Sequence, residues 1–204
     1  MSNKPTLSPL DLSPEMLYVM INEIGGVVFT DPYLLNIVAI RDLDNPDEWN
    51  DTLIYFYFDN KKSTHIKYVT EFTTDPGLKY LKSPMNASGT AIVVEGWYRK
   101  LWKLGKHKGK YDALVQNTPI KVYRDYNKDS KLDTDPNSIE TGIFGINLHH
   151  ASQYNSAEEV GAWSAGCLVI RDFDDWLDFM KAVHLCYSHG QRYWSLALFN
   201  KNQL

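Results

Sequence analysis

At 204 residues the chain is long enough for one domain with a full core plus a short addition. Its net charge of −4 gives no general attraction to nucleic acid, no run approaches the ~18 to 20 apolar residues of a membrane span, and two cysteines are too few for a disulfide scaffold. What is left is a globular chain rich in aromatics, with 13 Tyr, 8 Phe and 6 Trp, which favours β structure or a surface that meets carbohydrate or peptide.

The opening stretch, "MSNKPTLSPLDLSPEML", carries one Lys and no apolar segment, so it does not read as a secretory signal. Ser13 as N-cap, Pro14 at the first helical position, Glu15 in the first turn and Gly25-Gly26 as a stop predict a helix there. Residues 1 to 30 form a helical lead-in and residues 31 to 204 the main domain.

Nine short runs then carry strand signals: "LLNIVAIRD", "TLIYFYF", "HIKYVTEF", "TAIVVEG", "DALVQ", "PIKVYRD", "IFGINLH", "CLVI" and "YWSLALFN". Each is rich in β-branched or aromatic residues and is bounded by Gly, Pro, Asn or Asp. One helix interrupts them, in "RDFDDWLDFMKAVHLC". Phe173, Trp176, Leu177, Met180 and Val183 follow helical spacing there, with Asp172 as cap and Asp174 and Asp175 at the positive end of the dipole. The fold class is α+β, mostly β, as a sandwich or mixed sheet.

Between these elements lie two segments of unusual composition. "WYRKLWKLGKHKGK" has six Lys or Arg and no acid between residues 99 and 110, interleaved with Trp97, Tyr98 and Trp102. It reads as an exposed basic hairpin with its tryptophans inward, or as a flap that holds an anionic glycan or a peptide carboxylate. "DYNKDSKLDTD" sets Asp125, Asn127, Asp129 and Asp133 at the first, third, fifth and ninth positions of an EF-hand-like loop. Ser130 replaces the turn glycine and Pro136 the terminal Glu. A Ca²⁺ loop and a solvated, Asx-rich hairpin loop both fit.

The segment with chemistry in it is "GAWSAGCLVI". Cys167 follows Ser164, Ala165 and Gly166, small residues that leave room for close approach to the sulfur. His149 and His150 end another strand run. A thiol beside an imidazole, with slim backbone offering N–H donors to an oxyanion, is a nucleophile–base pair for acyl transfer. The bland alternative is an inert cysteine in an apolar strand. His65 and His107 are isolated and read as structural or surface residues. His149, His150, Cys167, His184 and His189 lack the spacing of a zinc site.

Residues 143 to 171, "IFGINLHHASQYNSAEEVGAWSAGCLVIR", resemble the active-site segment of the L,D-transpeptidases, the YkuD-like enzymes of the bacterial cell wall. Their pattern is a His, a spacer, then Ser or Thr, His, Gly and Cys. From His149 the spacer is 14 residues, which fits, and from His150 it is 13, which does not. The resemblance implies a YkuD-like domain that takes peptidoglycan stem peptides, with no cofactor required. It makes Cys167 the nucleophile and His149 the base, with the His150 carbonyl orienting that ring. Ser164 and Gly166 shape the turn, the N–H groups of Gly166 and Cys167, with Ala165 as a further candidate, hold the oxyanion, and Ala165, Trp163 and Arg171 face substrate. The chain departs from the pattern in having Ala165 in place of the second His and Val169 in place of an Arg, for which Arg171 is the candidate substitute. The acyl acceptor stays open between an amine and water, the latter giving a carboxypeptidase or endopeptidase. A cell-wall or glycan-binding module without catalysis is the third reading.

Overall fold

The computed structural model describes residues 7–154 and 157–204. The first six residues of the opening stretch, and Asn155 and Ser156 in the spacer, lie outside the described residues.

Helix α1 (Pro14–Glu23) starts where the sequence places it. The Ser13 hydroxyl accepts from Met16 N, and Gly26 N donates to Ile21 O at 2.8 Å where the helix stops. There follow β1 (Asn36–Arg41), β2 (Asp51–Phe58), β3 (Thr64–Thr73), α2 (Leu78–Lys82), β4 (Thr90–Val93), β5 (Gly96–His107), β6 (Tyr111–Gln116) and β7 (Ile120–Asp125). Then come β8 (Glu140–Gly142), β9 (Leu148–His150), β10 (Leu168–Ile170), α3 (Phe173–Ser188) and β11 (Tyr193–Asn200). The mostly-β α+β expectation holds.

The strands close on themselves in the order β1-β11-β5-β6-β9-β10-β3-β2, where the sequence reading had a sandwich or mixed sheet. The barrel is mixed: β1 runs parallel to β11 and β9 parallel to β10, and the other pairs are antiparallel. A second, antiparallel sheet, β4-β7-β8, lies beside it.

Strand β1 is buried at all six positions because both faces are covered. Val38 and Ile40, with Ile54, Phe56, Ala197 and Phe199, pack under Leu17 and Ile21 of α1. Ile37 and Ala39 face the main core with Leu53, Leu196 and Leu198. The lead-in helix is therefore a cover for one barrel wall. Helix α3 is capped by Asp172, whose carboxylate accepts from Asp174 N at 2.8 Å and Asp175 N at 3.0 Å. It buries Trp176, Phe179, Met180 and Val183 in the main core, while Leu177, expected inside, is exposed.

Arg41 ties the small sheet to the barrel. Fully buried, it pairs with Asp75 at 2.9 Å and Glu95 at 3.0 Å, and donates to Val93 O at the end of β4 at 2.7 Å.

Candidate active site

Strands β9 and β10 pair in parallel with Leu148 opposite Leu168 and His149 opposite Val169. Leu148 and Leu168 enter the main core, so His149 and Val169 take the other face. Leu168 N donates to Asn147 O at 2.9 Å, extending the ladder by one residue, so Cys167 stands diagonally across from His149 on that face. The two side chains thus share a face of the strand pair, offset along it, with no hydrogen bond between them.

The ring of His149 is held at one end. Its Nδ1 lies 2.8 Å from the His150 carbonyl, which can only accept, so Nδ1 carries the proton and Nε2 the lone pair. Tyr111 Oη donates to the same carbonyl at 3.3 Å. His107 stacks on the ring at 3.9 Å and is fixed in turn by Asn147, whose Nδ2 donates to His107 Nδ1 at 3.1 Å. His149 Nε2 is buried and, among the described residues, has no hydrogen-bond partner. Burial, then the neighbouring His107, pushes His149 down to about 3. Burial, then Lys108 and His150, pushes His107 down to about 4. The imidazoles are neutral at physiological pH.

His150 itself turns the other way, packing its ring against Tyr111, Phe173 and Trp176. Its side chain is a core element, and its contribution to the site is the carbonyl.

Cys167 is partly exposed, and its thiol donates to Gly145 O at 3.4 Å. Burial raises the thiol above its ordinary range, opposed by the Asn147 N–H and by Lys108 at the tip of the β5–β6 hairpin. In the resting fold the thiol and the imidazole are both neutral, and no hydrogen bond joins them.

The small residues before the cysteine have an internal cause. Ser164 is fully buried; its Oγ donates to Cys167 O at 2.8 Å and accepts from Gly166 N at 3.1 Å. Gly166 has φ +117°, and a Cβ there would sit 2.5 Å from Ala91 O, so the turn touches β4 where only glycine fits. This corrects one expectation. The Gly166 N–H is taken by Ser164 and is not free to hold an oxyanion. Ala165 lines a cavity of about 380 Å³ with Met85, Thr90, Arg124, Ile143 and Phe144.

One further expectation changes. Arg171 is not at the thiol: its Nε donates to Ala157 O at 2.6 Å and its Nη1 pairs with Glu71 at 2.7 Å. Val169 is fully buried in an apolar cluster with Trp49, Ala151 and Val160. Trp163 is 41% exposed in the turn before Ser164, its N–H donating to Val160 O.

Of the acidic loop, Asp125 is buried at the end of β7 and pushed up to about 6 by burial and then by Asp133 and Asp129. Asn127 and Asp129 are exposed, and Asn127 Nδ2 donates to Asp133 Oδ2. Among the described residues no group of three or more His, Cys, Asp or Glu side chains is arranged to hold a metal ion. No helix of the described residues is long and apolar enough to cross a membrane.

The sequence reading missed His107 and Tyr111. They face each other across the last rung of the β5–β6 hairpin, and the turn "HKGKY" is the one signal that couples them. No protein family, curated protein or solved structure matches the chain.

Proposed function

We propose that the chain is a cysteine acyltransferase of the L,D-transpeptidase kind, with a YkuD-like domain, acting on peptidoglycan stem peptides. The observation that carries this reading is the buried, unpartnered Nε2 of His149, on the face that holds Cys167, with its tautomer fixed by the His150 carbonyl. Among the described residues that lone pair has no competing hydrogen bond, although burial makes it a weak base in the resting fold.

The chemistry follows from the resting charges. Both groups are neutral, so the thiol proton passes to Nε2 as Sγ attacks the peptide carbonyl, in general-base fashion. The Cys167 N–H, with that of Ala165, takes the oxyanion. The imidazolium returns the proton to the departing amine of the terminal D-amino acid, leaving a thioester. An acceptor amine, or water, then gives a proton to Nε2 as it attacks the thioester carbonyl; the C–S bond breaks, and the imidazolium returns the proton to the departing Cys167 thiolate.

A second reading has support of its own. The thiol faces Gly145 O and its proton is held more tightly than usual, as suits a wall-binding module that does no chemistry. Incubation with a disaccharide-tetrapeptide, followed by product masses, separates the readings. A cross-linked dimer means transfer, a released D-amino acid without cross-link means hydrolysis, and unchanged peptide that still co-sediments with the protein means binding alone.

A further inference from the structure

We propose that the cavity beside the Cys167 turn is a carboxylate subsite, in which Arg124 holds the free carboxylate of a short peptide whose carbonyl meets the thiol. The placement at the thiol rests on the reading of Cys167 as a nucleophile; the carboxylate binding does not.

The cavity, of about 380 Å³, is walled largely by Met85, Ala91, Ile143, Phe144 and Ala165, and Arg124 is the one charged side chain on its lining. Arg124 comes from β7 and is 6% exposed. Protein atoms take only part of its fork: Nε donates to Glu140 Oε2 at 2.9 Å and Nη1 to Gly89 O at 3.2 Å. Phe144 covers one face of the plane, its ring centre 4.5 Å from Cζ. Among the described residues Nη2 donates to no group, and Glu140, with its side chain 46% exposed, binds from outside the cavity. A guanidinium stays charged at working pH, and in-plane N–H groups without acceptors match a carboxylate. The apolar walls suit the body of an amino-acid residue, and a single guanidinium balances a single negative charge.

Two segments join this cavity to the thiol. Ile143 and Phe144 run into Gly145, whose carbonyl accepts from the Cys167 thiol at 3.4 Å. Ala165 stands two residues before Cys167, a separation of at most about 7 Å. Gly166, between them, packs on the wall residue Ala91, whose carbonyl oxygen a Cβ would approach to 2.5 Å. A peptide seated at Cys167 therefore enters the cavity with its next residue or two. The substrate class this selects is a peptide with an acid one or two residues from the attacked carbonyl.

The probes are N-acetyl-D-alanine and its neutral amide, added to reduced Cys167→Ala protein and followed by chemical-shift titration, so that turnover plays no part. The subsite predicts that the acid binds at least about tenfold more tightly than the amide, the difference a charge-assisted hydrogen bond makes. Arg124→Gln erases that preference. Because this change also strands the Gly89 carbonyl, Met85, 79% exposed on the rim, supplies a second pair of variants. Met85→Glu weakens the acid and Met85→Lys tightens it, with the amide unmoved. In the wild type the acid, but not the amide, slows iodoacetamide labelling of Cys167. Equal binding of acid and amide overturns the subsite, as does an acid preference that neither Met85 variant moves, or inorganic phosphate that competes as well as the acid. Binding that leaves the labelling rate unchanged overturns its place beside the thiol. An unreactive Cys167 with the acid preference intact would overturn the acyl-transfer reading alone.

Discussion

Replacing Ser164 by Ala separates a brace from a catalytic hydroxyl. The wild-type Oγ makes two buried hydrogen bonds, to Cys167 O at 2.8 Å and from Gly166 N at 3.1 Å. Alanine strands a buried donor and a buried acceptor, at about 1–3 kcal/mol for each group left unpaired. Partial relaxation of the turn brings the total to about 2–4 kcal/mol, a fall in Tm of about 5–15 °C for a chain of this length. Differential scanning calorimetry reads the stability, and iodoacetamide labelling of the folded protein reads the thiol. Cys186 is fully buried and pushed up to about 12, so labelling reports Cys167. The expected variant is less stable, and its Cys167 labels faster as the turn loosens. An unchanged Tm with slower labelling or lost turnover would make Ser164 a participant in the chemistry and refute the brace.

Two more outcomes follow from buried charge. His149 at about 3 and His107 at about 4 stay neutral in the fold, whereas the unfolded chain takes up both protons near pH 6.5. Their stabilisation is complete above pH 6.5 and drains away as pH falls towards 4, at about 1.4 kcal/mol per pH unit for each ring. Urea titrations at pH 7 and pH 5 check this, and His149→Gln is expected to flatten the wild-type slope by one proton; equal slopes would contradict it. Arg41→Met leaves Asp75 and the Val93 carbonyl without their donor and is expected to cost about 3–5 kcal/mol by urea denaturation. A loss below about 1 kcal/mol would mean that the guanidinium does not hold the second sheet to the barrel.

Both long helices were legible in the chain because their caps are local chemistry: Ser13-Pro14 and Asp172 act on the next three residues. The double-sided burial of β1 showed as an unbroken apolar run. Strand β5 showed as one arm of a basic hairpin with its tryptophans inward, and Trp102 is fully buried there, although the exposed Lys and Arg break the alternation that marks a strand. In "IFGINLH" the strand proper starts only at Leu148, since Phe144 N and Ile146 N are bonded to the Gln116 side chain instead of a ladder partner. Barrel closure depends on which strand ends meet, and no single segment encodes that.

At the site, the spacing from His149 to Ser164 named an imidazole and a turn by resemblance alone, and the structure shows that imidazole's Nδ1 at the His150 carbonyl. His107 was out of reach because it arrives from a hairpin forty residues upstream, by stacking and not by any motif. Arg171 shows the opposite failure: correct strand parity, but Glu71 on the adjacent strand claims the charge. Gly166 looked like an opening for substrate and is a contact with β4.

The central claim is that Cys167 is a working nucleophile served by His149. Intact mass of the reduced protein after incubation with a carbapenem tests it most directly, beside Cys167→Ala and His149→Ala. The account predicts one stoichiometric adduct that is absent from the first variant and forms more slowly in the second. An unmodified wild type whose Cys167 also resists iodoacetamide while folded would contradict it, leaving an unreactive thiol hydrogen-bonded to Gly145.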